Sequence, residues 1–164
     1  MRNRACLVAA SAALWLLPLR AQAIQLFFSV PLDGMQEVDA QGNPNQGDLD
    51  GSGTAQLFLD TDMDTISWVI GVDAINLPPT GAHIHEGAIG TNGPIRIDFN
   101  AQLSGGPLVS SFVDLVAANP EGFYVNVHND PFFAGAIRGQ IPEPATALLV
   151  AAGVVLLAGQ RRRS

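Results

Sequence analysis

Lysine is absent from the 164 residues, and the only cysteine, Cys6, lies close to the start. Without a second thiol there is no disulfide framework, no cysteine-built zinc site and no thiol nucleophile in the body of the chain. Between residues 24 and 141 the basic residues are Arg96 and Arg138 alone, set against fourteen Asp and Glu, a net charge of −12 with histidine neutral. Such a field repels phosphate backbones and anionic lipid, which excludes nucleic acid and acidic membrane surfaces as partners and leaves cations as the natural small ones. No Gly-x-Ser-x-Gly elbow is present to set a serine on a strained turn, so no catalytic residue is assigned.

The ends of the chain differ from its middle. Arg2 and Arg4 precede an apolar stretch from Ala5 to Leu19, and Ala21-Gln22-Ala23 supplies the small-x-small pattern cut by signal peptidase. Pro18 and Arg20 interrupt the stretch before it reaches the ~20 residues of a membrane span. Residues 1–23 are therefore expected to be a signal peptide cleaved after Ala23. Cys6 precedes most of the apolar stretch, which is not where a lipid-modified cysteine sits.

At the other end, Pro142-Glu143-Pro144 is followed by an apolar run of fifteen residues from Ala145 to Gly159 and then by Arg161, Arg162 and Arg163. As a helix that run would rise ~22 Å, short of a ~30 Å bilayer core, and the arginines would stay on the cytoplasmic side. Residues 142–164 resemble the PEP-CTERM sorting signal of Gram-negative bacteria. The resemblance implies transient membrane anchoring, cutting near Pro142 to Pro144 by an exosortase-type enzyme, and release to the cell surface or extracellular matrix. An ordinary C-terminal anchor is the alternative.

Residues 24–141 read as one domain of short strands with period-2 alternation, separated by Gly, Pro, Asn and Asp clusters. Seven strands are expected: Gln25 to Val30, Ala55 to Leu59, Ile66 to Val72, a short one around His83 to His85, Ile95 to Phe99 with Ile95, Ile97 and Phe99 inward, Phe123 to His128, and Ala136 to Ile141. One short helix is expected with Ser111 as its N-cap and Phe112, Leu115 and Val116 on one side, stopped by Asn119-Pro120. The pattern predicts an all-β antiparallel sandwich or barrel. The polar segment from Asp39 to Gly53 is expected to be mobile.

His83, His85 and His128 all fall within strand signals, each opposite the apolar set of its strand. Brought together they could hold copper or zinc, with a carboxylate such as Glu86 fixing the tautomer of one ring. The plainer reading of the same residues is a set of surface histidines with local hydrogen bonds. Asp60-x-Asp62-x-Asp64 has Thr65 and Gly71 where a calcium loop needs Gly and Glu, so it reads as a solvated turn. Arg96 and Arg138 are expected to pair with nearby carboxylates.

Several pieces, in order, resemble the CHRD domain: Gly34-Met35-Gln36-Glu37-Val38, Gly53-Thr54-Ala55, Ala82-His83-Ile84-His85, Asn92-Gly93-Pro94, Tyr124-Val125-Asn126-Val127-His128 and Ile137-Arg138-Gly139-Gln140. The resemblance implies an immunoglobulin-like or barrel fold and no settled activity. A shorter stretch, His83-Ile84-His85-Glu86 followed by Thr91-Asn92-Gly93, is similar to the copper-ligand region of copper-zinc superoxide dismutase, whose zinc-loop ligands and disulfide have no counterpart here. Two functions are carried forward. One is a surface or matrix module without catalysis, meeting a matrix polysaccharide or a surface protein; the other is an exported copper- or zinc-binding domain, with redox chemistry on the metal as its extension.

Overall fold

The computed structural model of the chain describes residues 25–143. The predicted signal segment with Ala21 and Ala23 lies outside the described residues, as do Pro144, the apolar run after it, and Arg161, Arg162 and Arg163. Pro142 and Glu143 are described: they follow the last strand, exposed and outside any regular element. No helix among the described residues is long and apolar enough to cross a membrane.

Alternation of apolar residues carries most of the architecture. Eight strands form: β1 (Gln25–Asp33), β2 (Ser52–Asp60), β3 (Thr65–Asp73), β4 (Gly81–Glu86), β5 (Ile95–Asp98), β6 (Ser104–Val109), β7 (Phe123–His128) and β8 (Ile137–Gln140). They make one antiparallel sheet in the order β5-β4-β7-β8-β1-β2-β3-β6, curled into a half-barrel. Phe28, Val30, Ala55, Leu57, Leu59, Ile66 and Ile70 from β1, β2 and β3 face Ile84, Ile97, Val125 and Val127 from the other half, all at most 4% exposed. With no disulfide in the described residues, this burial, ~1.5–3 kcal/mol for each large side chain, offsets the ordering entropy.

Four local expectations change. β6 was not foreseen. Its Ser-Gly-Gly-Pro-Leu-Val has no alternation, and it is placed by Trp68, whose indole N–H donates to the Gln102 carbonyl at 2.8 Å and whose ring stacks on Phe99 at 4.2 Å. A Cβ at Gly105 would lie 2.7 Å from the Trp68 ring, so only glycine lets the strand lie so close.

The helix, α1, spans Val113–Ala118, with Phe112 rather than Ser111 at its N-cap and no side-chain cap. The Ser110 hydroxyl instead accepts from the Phe112 N–H at 3.3 Å. Val113 and Val116 are its buried pair, and Leu115 is exposed. Ile95 is exposed as well, because the β4–β5 register slips between Ile84 and His85.

The Asp39 to Gly53 segment is tied down rather than loose. Val38 bridges Pro44, the Gln46 N–H donates to the Glu37 carbonyl at 3.1 Å, and the Asp48 N–H donates to the Ala136 carbonyl at 2.8 Å. The Asp60 to Asp64 stretch is a turn in which Asp60 Oδ1 accepts the N–H groups of Asp62 and Met63 at 3.0 and 3.1 Å.

Candidate metal centre

The decisive neighbours are β4 and β7. Their antiparallel register sets Gly81 opposite His128, His83 opposite Asn126 and His85 opposite Tyr124. Ala82, Ile84, Phe123, Val125 and Val127 fill the core, so both histidines of β4 and the one on β7 leave the sheet on the same outer face. Ring centroids are 5.0 Å apart for His83 and His128, 5.5 Å for His83 and His85, and 6.1 Å for His85 and His128.

Main-chain carbonyls orient two of the rings. His85 Nδ1 lies 2.9 Å from the Gly93 carbonyl and His128 Nδ1 lies 3.0 Å from the Phe133 carbonyl. A carbonyl only accepts, so each Nδ1 carries the proton and each Nε2 keeps its lone pair. His83 is turned the other way, with Nε2 3.5 Å from Asp98 Oδ1. The remaining nitrogens, His83 Nδ1, His85 Nε2 and His128 Nε2, are buried without a hydrogen-bond partner.

One ring nitrogen from each histidine lies within 4.8 Å of those of the other two. A zinc or copper ion bound at ~2.0–2.1 Å in tetrahedral geometry needs nitrogens ~3.4 Å apart, so the widest pair must close by up to ~1.4 Å, a shift that side-chain rotations supply. Burial pushes all three imidazoles below the usual histidine range, His85 to about 4. His83 is further lowered by His128 and partly restored by Asp98, while the Phe133 carbonyl acts upward on His128. At neutral pH the cluster is three uncharged imidazoles, the form that ligates a metal.

The space between the rings exists because residue 81 is glycine. A Cβ there would come within 2.7 Å of His83 Cε1 and 3.2 Å of His128 Cδ2.

Behind the histidines the outer face is not solvated. Tyr124 stacks on His85 with centroids 4.9 Å apart and planes 9° from parallel, and the Arg138 guanidinium sits 3.4 Å from the Tyr124 ring centre. Arg138 is 1% exposed and donates to the Thr91 carbonyl at 2.7 Å, Asn92 Oδ1 at 3.2 Å and the Ala88 carbonyl at 3.4 Å. Glu37, equally buried, is raised in pKa by desolvation, with the charge of Arg138 acting against the rise.

One assignment is thereby corrected. Glu86 does not orient an imidazole: its Oε2 takes the Nε and an Nη of Arg96, both at 2.7 Å, as expected of Arg96. Arg138 also has a carboxylate beside it, Glu37, but in a buried polar layer that includes Asn92, Tyr124 and Asn126. The one available sequence signal for it was a solitary arginine inside a strand of a domain with two basic residues.

Five of the six segments that resembled a known family place residues in or against this layer, while Gly53-Thr54-Ala55 lies in β2 with Ala55 in the core. The family model for the CHRD domain matches residues 28–141. The chain belongs to the CHRD domain family. The match runs from within β1 to the residue after β8, and so takes in seven strands whole and most of β1. No curated protein and no solved structure matches the chain significantly. CHRD domains are typical of extracellular or secreted proteins. In this CHRD domain, Glu37, the two β4 histidines, Asn92 with Gly93, the outward Tyr124, Asn126 and His128, and Arg138 all lie in or against one cluster.

Proposed function

We propose that this CHRD domain is an exported module that binds one divalent transition-metal ion, copper or zinc, through His83, His85 and His128. The observation that carries the reading is the convergence of three buried, neutral, unpartnered ring nitrogens. Buried polar atoms without partners are scarce in folded proteins, and one on each of three histidines whose ring nitrogens come within 4.8 Å of one another matches the needs of a cation. An all-nitrogen set with no thiolate suits zinc or copper, and the acidic domain concentrates cations around it. Three protein ligands leave a coordination position for water or a substrate.

Export rests on the predicted signal segment, on the sorting-like tail and on the habit of the family. In this reading signal peptidase and an exosortase-type enzyme process the ends, and the domain reaches the surface or matrix with its cation. The test is titration calorimetry of the full chain with zinc and with copper, against His83→Ala and His128→Ala. Binding of one ion per chain, lost in both variants, supports the reading, and equal binding by wild type and variants ends it. Mass spectrometry of the chain's termini, recovered from the producing cell's envelope, tests processing: intact ends would end the export reading.

A further inference from the structure

We infer that Asp98 is the positioning residue of this centre: it holds the proton on His83 Nε2, so that His83 binds through Nδ1 while His85 and His128 bind through Nε2. The inference rests on the metal reading above and specifies how the third ligand is set. In metal-binding histidines the nitrogen away from the metal donates to a carboxylate, a carbonyl or water, which fixes the tautomer and strengthens the ligand. His85 and His128 have the carbonyls of Gly93 and Phe133 in that role. Among the described residues no carbonyl serves His83, and Asp98 stands there instead.

The strand register puts it there. His83 pairs with Asp98 across β4 and β5, so the two side chains share a face. Asp98 Oδ1 lies 3.5 Å from His83 Nε2 and accepts the Asn100 N–H at 2.7 Å, a turn contact that holds the carboxylate in place. The opposite nitrogen, His83 Nδ1, is the one left buried and unpartnered. When Nδ1 gives its lone pair to a cation the ring N–H becomes more acidic and the long contact to Asp98 shortens. The Asp98 side chain is 55% exposed, so removing its charge leaves the fold intact, and Glu86, committed to Arg96, is the control carboxylate on the neighbouring strand β4.

The experiment is zinc titration of the full chain as wild type, Asp98→Asn, Asp98→Ala and Glu86→Gln, with long-range proton–nitrogen spectra of the metal-free His83 ring. Asp98→Asn is expected to weaken zinc binding about ten- to a hundredfold, and Glu86→Gln to leave it unchanged. Asp98→Ala is expected to move the ring proton of His83 toward Nδ1, which a merely structural role would not do. Unchanged zinc affinity in both Asp98 variants, an unmoved tautomer, or an equal loss in Glu86→Gln overturns the inference while leaving the three-histidine site standing. A wild type that binds neither zinc nor copper removes the site and this inference with it.

Discussion

Acidifying the metal-free protein should cost stability in one window, and His85 sets its size. Burial lowers the His85 pKa from 6.5 to about 4. Below pH 6.5 the unfolded chain therefore takes up a proton that the folded chain refuses until near pH 4, and stability falls through that interval and levels off beneath it. At about 1.4 kcal/mol per pH unit the full effect is ~3 kcal/mol, and discounting for the water that reaches the cluster on the His83 side leaves ~2 kcal/mol. His83 and His128, also lowered, act with the same sign. Glu37 acts against it: its pKa is raised above 4.5, so the folded chain keeps a proton that the unfolded one has released, and acidification toward 4.5 returns stability. Urea denaturation of chelator-treated wild type and His85→Gln, from pH 7 to pH 4, isolates the His85 share as the difference between the two curves. Parallel curves for the two proteins would refute the argument that this ring is held neutral by burial.

Two further substitutions separate site from scaffold. Gly81→Ala places a methyl against the movable ends of His83 and His128 rather than against backbone, so denaturation should show a change within ~1 kcal/mol while zinc affinity falls at least about tenfold; unaltered affinity would mean the rings do not need that space. Arg138→Ala strips partners from Asn92 Oδ1 and the Thr91 carbonyl and leaves Glu37 buried without its cation, a loss of ~3–5 kcal/mol by urea denaturation, and a loss below ~1 kcal/mol would remove Arg138 from the buried layer.

The strand faces were legible where alternation was strict and the register unbroken; Ile95 fails at the β4–β5 slip. In β2, Ala55, Leu57 and Leu59 turn inward as the period-2 pattern requires, and the side on which each histidine emerges follows from the same rule. Adjacency was not legible, since nothing in Gly81 to Glu86 names Phe123 to His128 as its neighbour. The character of the outer face was misjudged for a physical reason: a strand pattern tells core from non-core, but not non-core from solvent. Tyr124 and Asn126 are 1% and 2% exposed because the loop after β4 reaches the Tyr124 hydroxyl through the Gly93 N–H, and the loop after β1 lays Glu37 against Asn126. The same loops explain the error over Asp39 to Gly53, where polar composition suggested freedom but backbone hydrogen bonds to Met35, Glu37 and Ala136 use up its donors. β6 escaped because its position depends on a tryptophan far away in sequence.

That the Gly93 and Phe133 carbonyls aim two of the imidazoles has a consequence for how such a centre can drift. A carbonyl belongs to every residue, so no point substitution deletes it, and the exposed side chain at 133 can be exchanged without touching the oxygen beneath. What would mis-aim the rings is a change in the length of the spans 87–94 or 129–136. Related domains that keep those spans intact are expected to tolerate wide variation along them, and those that lengthen them to lose the centre while keeping the sheet.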